Sequence, residues 1–316
     1  MSEPFPVCPV GELPATDAAP RWLVEPLWGR AAVGFCAGAP KQGKTWLGLD
    51  LALSVATRTP CLGRFPVRDP GPVLLYLAED SPGALRHRLA GLCQHRGLDL
   101  DRVPVHVITA PGLRLDRERD RERLEATLAQ VRPRLLLLDP LVRLHRLDEC
   151  RAQEVAELLG SLRDLQRAHD VAIVIVHHLR KNAGGSPGQA LRGSGDLHAW
   201  IDSGLYLRRR HDRVVLEAEH RNAPAPEPLE VQLVSRPDGS ATHLEVVAAP
   251  QGHEAVERSL EDRVLDQLAT RDHPSTRREL RDRLRVSNNR LGPVLALLED
   301  RGQLIRGPDG WRLPGP

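Results

Sequence analysis

A chain of 316 residues, 41% apolar and 27% charged, is long enough for a large α/β core plus a small second domain, and its net charge of +2 singles out no class of partner. No apolar run approaches the roughly 18 residues that cross a bilayer and no signal-peptide pattern opens the chain, which excludes a helical membrane span and implies a cytoplasmic protein. Cys8, Cys36, Cys61, Cys93 and Cys150 are scattered without CxxC spacing and read as free thiols, not as a disulfide framework. Of 44 basic residues only Lys41, Lys44 and Lys181 are lysine, a compact point charge that arginine does not copy.

In chain order, residues 1–21 form a Pro- and Ala-rich arm, expected to be flexible. Residues 22–248 alternate apolar strand-like runs with amphipathic segments. The runs are 31–38, 72–79, 103–110, 134–139 and 171–178, with helices predicted at 44–57, 82–95, 117–130 and 151–168. Continuous apolar strands separated by helices indicate a parallel sheet covered on both faces. Residues 180–195 are Gly- and Ser-rich and predict a mobile loop; short strands at 203–209, 213–220, 228–235 and 241–248 predict an antiparallel extension. A linker at 249–256 precedes a separate block, 257–316, with three short helices and a hairpin at 304–313.

Gly38 to Thr45 reads GAPKQGKT between a strand and a helix, the pattern of a loop that wraps phosphates. Gly38 and Gly43 allow the loop Ala39, Pro40, Lys41 and Gln42 to wrap an anion, with the backbone N–H groups of its non-proline residues pointing at it. Lys44 neutralises the β- and γ-phosphates of ATP, Thr45 offers its hydroxyl to Mg²⁺, and Trp46 opens the helix beside the bound nucleotide. Lys41 reaches the terminal phosphate or a neighbouring subunit, or is a solvated turn residue. Asp139 ends LLLLD, a strand expected to lie directly beside the P-loop strand, and is the second Mg²⁺ residue, against a cap before Pro140. Glu79 closes the strand PVLLYLAE, while Asp80 or Ser81 caps the next helix. Its carboxylate is thus available to polarise attacking water, the alternative being a solvated strand-end acid. His177 and His178 end VAIVIV on opposite faces of their strand, so the two cannot ligate one metal. Arg208, Arg209 and Arg210 follow GLYL, either as arginine fingers or as charges guarding an edge strand.

Together GAPKQGKT, AED (78–80), LLLLDP (135–140), VHHLRK (176–181) and RGSGD (192–196) resemble the RecA-like superfamily of AAA family ATPases. The narrower resemblance is to the RepA-type hexameric replicative helicases of plasmids. It covers roughly residues 22–235 and implies a RecA-like parallel sheet with helices on both faces, ATP and Mg²⁺, a homo-hexameric ring and single-stranded DNA. It also implies Glu79 as catalytic base, His178 as the γ-phosphate sensor, Arg208 and Arg210 as fingers acting across a subunit interface, and Arg180, Lys181 and Arg192 in a DNA channel loop. That loop has no aromatic residue to stack bases, so its grip would be electrostatic.

The C-terminal block reads as a winged helix, with Leu291, Leu295 and Leu298 on one helix face. It has 12 arginines against 10 acids, and Pro293 falls inside the would-be recognition helix unless that helix starts late. DNA and a protein partner both remain open as its ligand. Two functions follow: a DNA-translocating helicase, or a regulatory or assembly ATPase whose winged helix binds a DNA site or partner without unwinding.

Overall fold

The computed structural model describes residues 5–12, 21–147, 152–179, 188, 191, 196–210, 213–237, 241–247, 260–269, 273–284, 286 and 288–314. Two compact units divide the chain, Met1–Ala249 and Pro250–Pro316.

In the first unit a short antiparallel pair, β1 (Trp22–Val24) and β2 (Trp28–Gly29), leads into the buried strand β3 (Val33–Gly38). Then follow α1 (Lys44–Thr57), β4 (Val73–Leu77), α2 (Pro82–Arg96), β5 (Val105–Val107), α3 (Glu118–Val131) and β6 (Leu135–Asp139). After these come α4 (Ala152–His169), β7 (Ala172–His178), α5 (Asp196–Trp200), β8 (Ser203–Arg210), β9 (Arg213–His220), β10 (Leu229–Ser235) and β11 (Ala241–Val246). The boundaries have local causes. Pro82 opens α2 with Ser81 as its cap, the Ala84 N–H donating to Ser81 Oγ at 3.2 Å, and Gly97 ends the helix in the left-handed region at φ 66°.

A nine-stranded sheet runs β11-β10-β9-β8-β3-β7-β6-β4-β5; the strands from β8 to β5 are parallel and β8 to β11 antiparallel. Side-chain alternation divides the core. Leu75, Leu137, Val174 and Val176 pack on the α1 and α2 face, whereas Leu74, Leu138, Ile173 and Ile175 pack on the α3 and α4 face. At Gly34 a Cβ would lie 1.8 Å from the Ser203 carbonyl oxygen, so the approach of β3 to the start of β8 requires glycine.

Two placements differ from the sequence reading. β7 lies between β3 and β6, so Asp139's strand is one removed from the P-loop strand. Buried apolar strands look alike in sequence, and nothing in their composition sets their order. β4 stops at Leu77, which leaves Glu79 on the bend beyond it instead of closing the strand.

In the second unit α6 (Leu260–Ala269), α7 (Arg277–Leu284) and α8 (Asn288–Asp300) precede a hairpin of β12 (Ile305–Gly307) and β13 (Gly310–Arg312). Val264, Leu268, Leu280, Leu291, Leu295 and Leu298 are buried together, and Ser275 bridges to Trp311. Thr276 and Glu279 form a reciprocal capping box: the Thr276 N–H donates to Glu279 Oε2 at 2.8 Å and the Glu279 N–H to Thr276 Oγ1 at 3.3 Å. α8 does not start late; it runs through Pro293, whose ring is exposed. Among the described residues no helix is long and apolar enough to cross a membrane.

Candidate active site

β3 delivers Gly38 to the carboxyl edge of the sheet, and residues 39–43 turn back into α1. Gly43 (φ 90°) and Lys41 (φ 63°) are left-handed, which turns successive N–H groups into one concavity. Gln42 braces the loop, its Oε1 accepting from the Ala39 N–H at 2.8 Å. Lys44 Nζ donates to the Ala39 carbonyl at 2.9 Å, so the ammonium lies across the loop. Burial lowers the Lys44 pKa, opposed by the negative charges of Cys36 (when ionised), Asp139 and Glu79. Trp46 belongs to the core of α1, with the Arg88 guanidinium 5.7 Å from its ring centroid.

Thr45 Oγ1 donates to Asp139 Oδ2 at 2.7 Å, joining the first turn of α1 to the end of β6. Asp139 is 8% exposed. Burial is the main cause that pushes its carboxyl up to about 6; Asp80 and Glu79 add to the rise, while the Thr45 hydrogen bond and Lys44 oppose it. A hydroxyl paired with a buried carboxylate is a hard-oxygen donor set, and a divalent cation there would offset the burial of the carboxylate's charge. The residues therefore fit Mg²⁺ held by few protein ligands, and among the described residues no group of three or more His, Cys, Asp or Glu side chains is placed to hold a metal by itself. Burial also drives the neighbouring Cys36 thiol up to about 12, with Asp139 adding to the rise and Lys44 opposing it.

Glu79 is half exposed at the rim and pairs with Arg143, whose Nε donates to Glu79 Oε1 at 2.8 Å. Asp80 is held by Arg88 at 2.7 Å. The Ala78 N–H donates to the Asp139 carbonyl at 2.7 Å, tying the Glu79 bend to the end of β6.

Strand alternation separates the two histidines. His177 is buried with its ring 5.5 Å from that of Phe35, on the α4 face. His178 pairs in register with Gly38 and has the parity of Val174 and Val176, which places it on the α1 face beside the P-loop. Arg208 and Arg210 both lean on the buried Glu217 of β9, at 3.9 and 2.8 Å. Arg209, on the opposite parity, lines a groove of about 390 Å³ with Lys41, Gly43, Arg213, Leu233 and Leu244. Arg180, Lys181 and Arg192 lie outside the described residues.

Arg143 escaped the sequence reading. Its signal was its place, four residues after Asp139, as the one charged residue in PLVRL, a segment whose Leu141 and Leu144 are buried. Lys41, left open from sequence, sits at the groove's edge with its own backbone in the left-handed region.

A family described as an AAA domain matches residues 2–184, more than half of the chain. A solved structure described as the crystal structure of the RadB recombinase is similar with a TM-score of 0.51 at 18% identity, over 69% of this chain and 92% of that one. At that identity the likeness speaks for the fold alone. The chain belongs to the AAA domain family, and its core is a RecA-like P-loop ATPase fold.

Proposed function

We propose that the protein is an ATP-hydrolysing, ring-forming motor that moves on single-stranded DNA, a helicase of the RepA type. The observation that carries this reading is the meeting of Lys44, Thr45, Asp139, Glu79 and His178 at the carboxyl edge of one parallel sheet.

In this reading the loop N–H groups and Lys44 hold the β- and γ-phosphates of ATP, which draw the ammonium from the Ala39 carbonyl. Thr45 and Asp139 hold Mg²⁺, which when bound neutralises charge that develops on the phosphate oxygens. Glu79 takes a proton from a water whose oxygen bonds to the γ-phosphorus as the bond from phosphorus to the β,γ-bridging oxygen breaks, releasing ADP and phosphate. His178, beside Gly38, senses the γ-phosphate. Arg208 and Arg210, steadied by Glu217, reach the nucleotide of the next subunit in a hexameric ring. The basic loop 180–195, with Arg180, Lys181 and Arg192, grips DNA phosphates.

The second reading is a regulatory ATPase without unwinding, its second unit a winged helix. Pro293, Ala296 and Leu297 on the exposed side of α8 carry no charge, which favours a protein partner there over a phosphate backbone. Unwinding of a forked duplex, tested in the wild type and in Lys44→Ala, separates the two. ATP-dependent unwinding supports the helicase, and ATP turnover without unwinding and without response to single-stranded DNA supports the regulator.

A further inference from the structure

We propose that Arg143 is a positioning residue for the hydrolytic step: its guanidinium fixes the Glu79 carboxylate at the angle from which it takes the proton of the attacking water. The inference rests on the reading of Glu79 as the base.

Three observations converge on it. The first is the contact itself, with Arg143 Nε donating to Glu79 Oε1 at 2.8 Å. One carboxylate oxygen is engaged, and the second is the acceptor for water.

The second is the anchoring of the turn that carries Arg143. Glu79 sits on a bend between β4 and α2, and its side chain is 54% exposed. The bend's backbone is tied to the end of β6 by the Ala78 N–H, and among the described residues the side-chain contact of the Glu79 carboxylate is with Arg143. Arg143 belongs to a 3-10 turn whose Leu141 and Leu144 are buried, and the Leu144 N–H donates to the Leu141 carbonyl at 2.8 Å. The Arg114 guanidinium clamps the same turn, donating to the Arg143 and His145 carbonyls, each at 3.0 Å. The Arg143 side chain is itself 61% exposed, so what is anchored is the backbone turn from which the guanidinium reaches Glu79. That turn follows directly from Asp139, so one segment holds the metal residue and aims the base.

The third is charge. Glu79, Asp80 and Asp139 crowd one rim, and both neighbours act electrostatically on Asp139. Arg88 compensates Asp80 and Arg143 compensates Glu79. With both members of the Arg143–Glu79 pair more than half exposed, the pair adds little to folding. Its effect is on where a carboxylate points, and misplacing a general base lowers rate steeply.

The test is steady-state ATP turnover of the full chain for Arg143→Ala, Arg143→Lys, Glu79→Gln and the Glu79→Gln/Arg143→Ala double variant, with melting temperatures measured alongside. Arg143→Ala is expected to lower kcat by about 10-fold or more with KM for ATP within about 2-fold, and with unchanged melting. Arg143→Lys recovers part of the loss. In the Glu79→Gln background the second substitution lowers the residual rate no further, because there is no base left to aim. An unchanged kcat in Arg143→Ala, an effect confined to KM, or an equal loss in the Glu79→Gln background overturns the proposal while leaving Glu79 as the base. Wild-type turnover in Glu79→Gln overturns the base reading, and this inference with it.

Discussion

The Thr45 hydroxyl donates to the Asp139 carboxylate at 2.7 Å, although β7 separates the strands β3 and β6 that lead to the two residues. The link spans the gap because Thr45 lies in the first turn of α1, a helix that packs against β6 as well as β3. A hydroxyl and a buried acid, 94 residues apart in sequence, thus form one oxygen pair at the carboxyl edge. Asp139→Asn keeps the shape but removes the charge. It is expected to lower Mg²⁺-dependent ATP turnover by about 100-fold or more, with binding of a fluorescent nucleotide in EDTA retained. Titration of both variants and wild type with Mg²⁺ checks this, including Thr45→Ala, which should raise the Mg²⁺ requirement.

Lys44→Ala should lose both nucleotide binding and turnover, since its ammonium lies across the loop where the phosphates are expected. Glu79→Gln should bind ATP as the wild type does and turn it over about 100-fold or more slowly. Equilibrium binding set beside single-turnover hydrolysis separates the two roles.

A buried ion pair holds α1 to α2 behind the loop. Arg96 and Asp50 have side chains 9% and 3% exposed, and Asp50 also accepts from the Leu62 N–H at 2.7 Å. Arg96 further donates to Ser54 and Thr59 at 2.8 Å. Arg96→Ala leaves the Asp50 charge buried and is expected to destabilise the protein by about 3–5 kcal/mol. Urea denaturation measures the loss, and Arg96→Ala combined with Asp50→Ala should recover part of it.

The α2–β11 packing predicts a pH dependence of stability. The rings of His95 and His243 stack with centroids 3.4 Å apart. Burial lowers the His243 pKa, and the like charge of His95 lowers it further, with Arg96 acting the same way and Glu245 and Asp50 opposing. Burial also lowers the His220 pKa. A histidine whose folded pKa lies below its unfolded value takes up its proton more readily on unfolding. Stability is therefore full above the unfolded value of about 6.5 and falls as the pH drops through it. Chemical denaturation at pH 7.5 and 5.5 should show a lower midpoint at the acid pH, and His243→Asn should shrink the difference.

The P-loop and the alternation of strands and helices were legible because both are local. GAPKQGKT declares its glycines and lysine within eight positions, and runs such as LLLLD admit few other readings. Strand order was not legible, since β6 and β7 are equally apolar and either could border β3. The pair β1 and β2 was too short to show a period. Arg143 was missed for another reason: its partner Glu79 is 64 residues away, and one arginine among 41 carries no mark of its contact. Conversely, parity alone separated His177 from His178, because opposite faces follow from any strand geometry.

Under the proposed function, ATP hydrolysis at this edge drives movement on single-stranded DNA. The most direct measurement is the ATP turnover of the full chain in Mg²⁺ with and without single-stranded DNA, with its mass in ATP recorded in the same buffer. The expected result is a turnover that rises about 10-fold or more with DNA in a ring-sized oligomer and vanishes in Lys44→Ala. A turnover indifferent to DNA, in a protein that remains monomeric in ATP, would contradict it.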